Sequence, residues 1–349
     1  MTNALSARNH CPIDAKAMKK RKTLSDVAAA AGVSKMTASR ALRGAGDVSK
    51  SSQEKVGRAA KELGYVGNHL AMSLASQRSD LIGVVVPSLM NIVFAEVLSG
   101  IAEGLEGSGM QPVFGVTDYD PDREYEIIRN MLSWNPAGLI ITGLDQPGDT
   151  LRLLENADIP VVQIMDVDGT PVDACVGLSQ KAAGEAMADA MIAKGCRRFG
   201  YVGSDLDKDT RARKRFAGFE AALSAKGLAL VAVQTGNGVS SVKAGRELTA
   251  QILQDNPELD CIYYSNDDIA VGGAFHCIAA GIDVPGKLVL AGFNGLDLVE
   301  SLPVKIATSR TPRREIGKAA AEIVLTSDRD QSGTAGKRTE FRPEIATGF

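Results

Sequence analysis

The sequence predicts an α/β protein in two parts: a small three-helix head built around a helix-turn-helix, then a larger core of two doubly wound parallel-sheet subdomains. Three observations carry this expectation. Positive charge is concentrated near the amino terminus, where residues 18–80 hold 12 Lys and Arg against 5 Asp and Glu. The same region places apolar residues at helical spacing between Ser caps and Gly stops. From Leu81 onward, short apolar runs alternate with amphipathic stretches, the pattern of buried strands joined by helical crossovers.

The chain has 349 residues, of which 44% are hydrophobic and 23% charged, enough to bury more than one core. Beyond residue 80 there are 25 basic side chains against 36 acidic ones, so the net charge of −3 conceals a strong polarity. Such a distribution suits a polyanion-binding module attached to a domain that does not itself hold nucleic acid. No run of about 20 apolar residues exists, and the amino-terminal stretch lacks an apolar leader. The expected location is therefore the cytoplasm, off the membrane. The basic run "MKKRK" makes Met18 an alternative start, with residues 1–17 an extension. Cys11, Cys175, Cys196, Cys261 and Cys277 show no CxxC spacing and read as reduced core thiols. No metal and no cofactor are expected.

In "TLSDVAAAAG", Leu24, Val27, Ala28 and Ala31 share one helical face, and Gly32 ends the helix. Ser34 caps a second helix whose inner face is Ala38, Ala41 and Leu42 and whose outer face is Lys35, Met36, Ser39 and Arg40. A third helix is expected after Ser49, with Val56, Ala60 and Leu63 inward and Gly64 as its stop. Small inner residues and a Gly turn let the first two helices cross closely, the geometry in which the second enters the major groove of double-stranded DNA. Arg40 can donate two hydrogen bonds to guanine, Lys35 can reach a base or a phosphate, and Met36 offers apolar contact to a thymine methyl. Ser34 and Thr37, at the helix start, suit phosphate oxygens.

These residues carry a resemblance. "TLSDVAAAAGVSKMTASRALRG" followed by "VSKSSQEKVGRAAKELGYVGN" resembles the head of the LacI/GalR family of transcription regulators, and the likeness extends over nearly the whole chain from Lys19. It implies a disordered tail at 1–18, a head at 19–66, a hinge helix and linker at 67–80, and a periplasmic-binding-protein-like effector and dimerisation core at 81–349. Lys35, Met36, Ser39 and Arg40 match the family's base-reading positions. Leu74, in "HLAMSLA", matches the leucine that each subunit wedges into the minor groove. Such a short segment is expected to be helical only when packed on a partner and DNA.

In the core, "LIGVVVP", "PVFGVT", "GLIITG", "IPVVQIM", "RFGYVG", "LALVAVQ", "CIYYSN" and "LVLAGF" read as buried parallel strands. Helices are expected in "FAEVLSGIAEGLEGSG", "DREYEIIRNMLSW", "AAGEAMADAMIAKG", "RKRFAGFEAALSAKG", "VKAGRELTAQILQD" and "DDIAVGGAFHCIAAG". Ligands of such folds sit outside the carboxyl ends of the strands. Asp166, Asp267, Asp268 and Asn294 follow predicted strands, and Phe94 opens a helix after the first. Carboxylates and amides there can pair with vicinal hydroxyls, and an aromatic face can cover a sugar. Asp267 or Asp268 can equally cap the next helix. Arg211, Arg213, Lys214 and Arg215 form a cluster able to clamp a carboxylate or phosphate. The family resemblance assigns effector contact to Phe94, Asp166, Arg215 and Asp267. "PSLMNIVFAEVLSGI", "MLSWNPAGLIITG" and "SNDDIAVGGAF" resemble the gluconate-operon repressor branch, which implies a sugar-acid effector such as gluconate that releases DNA; the alternative is a regulator that responds to another sugar, a sugar phosphate or a nucleobase, including one whose ligand promotes DNA binding.

An enzyme is disfavoured. No GxxxxGK[ST] occurs, the clusters "GNGVSS" and "VGGAF" lack the strand-GxGxxG-helix order, and His10, His69 and His276 have no nucleophile at a recognisable motif. A sugar-binding transport protein is the other class that the core alone would serve. The basic head argues against it. The carboxyl-terminal stretch has no leucine heptads, so a homodimer is expected rather than a tetramer.

Overall fold

The computed structural model describes residues 22–43, 46–66, 79–327 and 336–348, which fall into two compact units, one up to residue 66 and one from residue 79. The expected tail, the hinge helix, Leu74, Cys11, His10 and His69 lie outside the described residues.

A capping box opens the first unit. The Thr23 N–H donates to the Asp26 carboxylate at 2.7 Å while the Thr23 hydroxyl accepts from the Asp26 N–H, and α1 (Leu24–Ala31) follows. Gly32, at φ 66°, terminates it. Ser34 caps α2 (Lys35–Leu42), and Ser49 caps α3 (Lys50–Leu63), each accepting a backbone N–H. The centre is Val27, Ala28, Ala38, Val56, Ala59 and Ala60, small side chains that let all three helices pack on one another. Leu42 departs from its expected inward position and is 38% exposed. It is the last residue of α2, one turn beyond the Ala38 that fills the space between the helices.

The second unit contains two subdomains. The first is built from β1 (Leu81–Val86), α4 (Ile92–Gly104), β2 (Gln111–Val116), α5 (Pro121–Ser133), β3 (Gly138–Thr142), α6 (Gly148–Glu155), β4 (Val161–Ile164) and β5 (Ala174–Gly177). The second follows with α7 (Gln180–Ala193), β6 (Phe199–Gly203), α8 (Thr210–Ala225), β7 (Leu230–Thr235), α9 (Val242–Asp255) and β8 (Cys261–Tyr264). It continues with α10 (Asp267–Ala279), β9 (Val289–Ala291), α11 (Asp297–Glu300) and β10 (Thr308–Arg310). The chain then returns to the first subdomain as α12 (Arg313–Thr326) and β11 (Lys337–Glu340), and to the second as β12 (Glu344–Ala346).

The first sheet runs β11-β5-β4-β3-β1-β2 and the second β7-β6-β8-β9, all neighbours parallel, with β10 and β12 as an antiparallel pair. Parallel bridges Ala291–Ala307 and Asn294–Arg310 tie that pair's segment to β9. Three of the strands expected to be buried, β2, β7 and β9, stand at the edge of a sheet. In β7, every second residue faces outward, and in β2 Phe114 is exposed. Exposure therefore interrupts β2 and β7, in contrast to the burial of β1, β3 and β8, whereas β9, bridged at Ala291 to Ala307, stays buried.

Three helix pairs repeat one device. A Cβ built at Gly184 of α7 would lie 2.0 Å from the Arg215 carbonyl oxygen of α8, and one at Gly218 would lie 2.1 Å from that of Lys181. The α9–α10 pair does the same through Gly245 and Gly272, and the α4–α12 pair through Gly100 and Gly317. Only glycine permits backbones this close. The α7–α8 crossing fixes the rotation of α8, and with it where Arg211, Lys214 and Arg215 point.

Candidate functional site

The outer face of α2 is a surface of mixed chemistry. Met36 is 69% exposed, Lys35 and Arg40 are exposed, and Ser39 is half-buried. The Ser34 hydroxyl accepts from the Thr37 N–H at 3.0 Å and lies 2.8 Å from the Thr37 hydroxyl. Its capping duty leaves the pair able to meet a phosphate only through their remaining hydrogen-bonding capacity. Arg40 forms an ion pair with Asp47, just before the cap of α3. The sequence reading did not anticipate this partner, because it joins two segments separated by a turn. The two side chains border a shallow pit with Ser34, Met36, Thr37 and Ser52.

In the second unit a cleft opens between the subdomains at the carboxyl ends of the strands. Its first compartment, about 230 Å³, is lined on one side by Ser88, Asn91, Asp118 and Tyr119 and on the other by Ser204, Asp209, Ser240 and Asp268, among others. A second compartment of about 480 Å³ shares Asp118, Tyr119 and Lys208 with the first and adds Glu124, Thr142, Gln146 and Arg211. Hydroxyls, amides and carboxylates in such density suit a polyhydroxylated ligand.

The five side chains expected to contact effector are not among the residues that line these two compartments. Asp166, at 0% exposure, accepts from Lys214 Nζ at 2.6 Å and from the Asp168 N–H at 2.8 Å. Lys214 also bonds Asp145 at 2.8 Å. Burial pulls the Lys214 ammonium down, but its bonds to Asp145 and Asp166 outweigh this and hold it above the usual lysine range. Arg215 donates to the Gln180 side chain and, at 2.7 Å, to the Ser265 carbonyl, with its guanidinium 3.9 Å from the centre of the Phe293 ring. Asp267 accepts from the Leu296 N–H at 2.9 Å and from the Thr308 hydroxyl at 2.8 Å. Burial pushes its carboxyl up to about 6 against those bonds. Asn294 sits at φ 125°, and its carbonyl accepts from Thr311 and Arg313. Phe94 is buried in α4, with the Arg211 guanidinium 5.8 Å from its ring centre.

Neither Asp267 nor Asp268 caps α10. Asn266 does so, accepting from the Ile269 N–H at 3.1 Å. That leaves Asp268 free to line the first compartment, where burial raises its carboxyl. Asp209, Asn91 and Asp120 cap α8, α4 and α5, so the cleft's polar rim is largely a set of helix starts. Tyr119, at φ 59°, turns its hydroxyl into a buried position where it is pushed up to about 12, first by burial and then by Asp209, against the pull of Arg211. Tyr119, Glu124, Asp209 and Ser240 escaped the sequence reading, although their position just beyond a strand or at a helix start was a usable signal. His276, on α10, is half-buried and held below the usual histidine range by burial and Arg246. Cys175, Cys196, Cys261 and Cys277 are buried free thiols.

A helix-turn-helix head with a basic outer face, followed by a two-lobed α/β core with a polar cleft, defines a ligand-binding regulator of DNA. Residues 23–68 match the bacterial regulatory proteins of the lacI family, and residues 79–338 match the periplasmic binding proteins and sugar-binding domain of the LacI family. The chain is 40% identical to the HTH-type transcriptional regulator GntR of Escherichia coli strain K12 over 316 residues, 90% of this chain and 95% of that one. It is 40% identical to the GntR of Pseudomonas aeruginosa over 310 residues, 87% and 89% of the two chains. A solved LacI-family transcriptional regulator from Silicibacter pomeroyi superposes with a TM-score of 0.88 at 47% identity, covering 93% of this chain and 98% of that one. The chain belongs to the LacI family: it is a DNA-binding transcriptional regulator with a sugar-binding domain.

Proposed function

We propose that the protein is a homodimeric repressor whose two α2 helices read a pseudo-palindromic operator, and whose operator affinity falls when a sugar acid of the gluconate kind occupies the cleft. Half-sites about one helical turn apart follow from that symmetry. Arg40 reads guanine, Lys35 and Met36 touch neighbouring bases, Ser39 supports them, and Ser34 and Thr37 meet phosphate. Leu74 of each subunit enters the minor groove at the operator centre.

The observation that carries the effector reading is the cleft itself, where acidic and hydroxyl groups line one compartment and Arg211 lines the next. Phe94, Asp166, Arg215, Asp267 and Asn294, at the same strand ends, contact the effector as the lobes close around it. Ligand binding is linked to release of DNA by the difference in affinity of two conformations, and by nothing else. The protein acts in the cytoplasm, without cofactor, and is a regulator rather than an enzyme.

Fluorescence anisotropy on a labelled operator tests the reading. Affinity is expected to fall steeply with salt, and to fall again on addition of gluconate at constant salt. Absence of binding to any fragment of the parent genome, the result a sugar-binding transport protein would give, or binding unchanged between low and moderate salt would refute it.

A further inference from the structure

We propose that the second compartment is the carboxylate subsite of the cleft, with Arg211 as its anchor, Tyr119 as a neutral donor beside it, and Glu124 as the residue that restricts it to a single negative charge. The proposal rests on the effector reading above and names the ligand class: a monoanionic polyol carboxylate, not a phosphorylated one.

The cations of this region are largely committed. Lys214 is held by Asp145 and Asp166 at 2.8 and 2.6 Å, Arg123 is paired with Asp118, and Arg215 is turned into the wall toward Gln180 and Ser265. Arg211 differs. Its ion-pair contact, Asp209 at 4.0 Å, lies beyond hydrogen-bonding reach, its hydrogen bond goes to the neutral Tyr119 hydroxyl, and it lines the second compartment. The Phe94 ring, its centre 5.8 Å away, and Gly143, whose built Cβ would lie 3.5 Å from an Arg211 nitrogen, both border the planar group. A flat guanidinium with donors to spare is the geometry that takes a carboxylate through two parallel bonds. Tyr119 belongs to both compartments. Its hydroxyl stays protonated at neutral pH and can donate to the same anion.

Glu124 supplies the limit on charge. It lines the second compartment from α5, where burial pushes its carboxyl up to about 7 against the Gln146 amide and Arg211. The groups facing it are Arg211 of α8, Tyr119 after β2, Asp145 and Gln146 after β3, and Asp207 and Lys208 after β6. Arg123, Asp118 and Asp120 adjoin it on its own side of the cleft. Five carboxylates, Asp118, Asp120, Glu124, Asp145 and Asp207, face three cations there, so a ligand's single charge is matched by Arg211, while a phosphate's second charge adds repulsion that the exposed Lys208, 3.8 Å from Asp205, offsets only weakly. A docked carboxylate draws Arg211 away from Glu124 and adds a negative neighbour, so Glu124 takes up a proton as the ligand binds. Affinity therefore weakens as pH rises through about 7.

Isothermal titration of the full chain tests this with gluconate, 6-phosphogluconate and the neutral polyol sorbitol. Runs at pH 6 and pH 8, each in two buffers of different ionisation enthalpy, report proton uptake. Gluconate is expected to bind more tightly than either of the others, with net proton uptake that Glu124→Gln abolishes. Arg211→Lys should weaken gluconate by about 10- to 100-fold, the worth of a charge-assisted hydrogen bond, and leave sorbitol unaffected. Tyr119→Phe is the second, milder variant, expected to lose several-fold for gluconate alone, and melting temperature serves as the folding control for both. Wild-type gluconate affinity in both variants, or 6-phosphogluconate binding more tightly than gluconate, would overturn the subsite while leaving the effector reading intact. If none of the three bound, the effector reading would fall, and this proposal with it.

Discussion

Glycine 184 offers a test in which two opposing effects compete within one methyl group. Replacing it with alanine places a Cβ 2.0 Å from the Arg215 carbonyl oxygen, more than an ångström inside a normal contact, with backbone rather than a movable side chain as the obstacle. Helices α7 and α8 have to separate, an overpacking cost of about 3 kcal/mol. Alanine returns about 1 kcal/mol through its higher helix propensity. The net loss of about 2 kcal/mol corresponds to a melting temperature lower by roughly 4–8 °C for a unit of this size. Gly57 of α3 supplies the control, because a Cβ built there meets nothing within 4 Å. Gly57→Ala therefore keeps the propensity gain without the clash, and the head is stabilised by up to about 1 kcal/mol. Differential scanning calorimetry reads both. A Gly184→Ala protein that melts at or above the wild-type temperature would show that the α7–α8 crossing tolerates a methyl and that the close approach is not what holds it.

Three further outcomes are expected. Arg40→Ala should cost about 1–3 kcal/mol of operator affinity, roughly 5- to 150-fold, and relax preference at one base position only; an equal loss on random DNA would show that Arg40 binds phosphate. Asp47→Asn frees Arg40 from its exposed partner, and operator affinity is expected to rise by up to about 5-fold at moderate salt, consistent with the small worth of a surface ion pair; a fall would assign Asp47 a structural role. Glu124 and Asp267, with carboxyls pushed up to about 7 and about 6, bind protons more tightly folded than unfolded. The folded state is then favoured at low pH, and their contribution is lost as pH rises through those values. Thermal melts between about pH 5 and pH 7 should show a declining stability that Glu124→Gln flattens, and an unaltered slope would mean that Glu124 titrates like an exposed carboxylate.

Local pattern decided how much of this could be read from residues alone. The head was legible because Thr23, Ser34 and Ser49 are caps whose bonds close within three residues, and because Gly32 and Gly64 are stops that need no distant partner. The long apolar strands were legible for the same reason. The short ones were not: β5 is "ACVG", β10 is "TSR" and β11 is "KRTE", and each exists only because a preformed neighbour offers an edge. Helix α12 also went unread, although Ile316, Ala320, Ile323 and Val324 carry helical spacing. In the cleft, the resemblance favoured Arg215, one turn along α8 from Arg211. The two share a face of α8 at i, i+4 spacing, so helical pattern does not separate them; Gln180, Ser265 and Phe293, which hold Arg215, come from distant segments.

The chain passes between the two lobes of the core three times, from β5 into α7, from β10 into α12, and from β11 into β12. A single tether would leave one lobe able to swivel in any direction against the other. Three tethers leave it few independent rotations, so opening and closing follow one track rather than many. A ligand that draws the lobes together therefore delivers a displacement of fixed direction, and the work of binding is not dissipated in sideways play. The polar cleft thus behaves as the jaw of a constrained linkage, which is the mechanical condition for a small molecule to be felt at a distance.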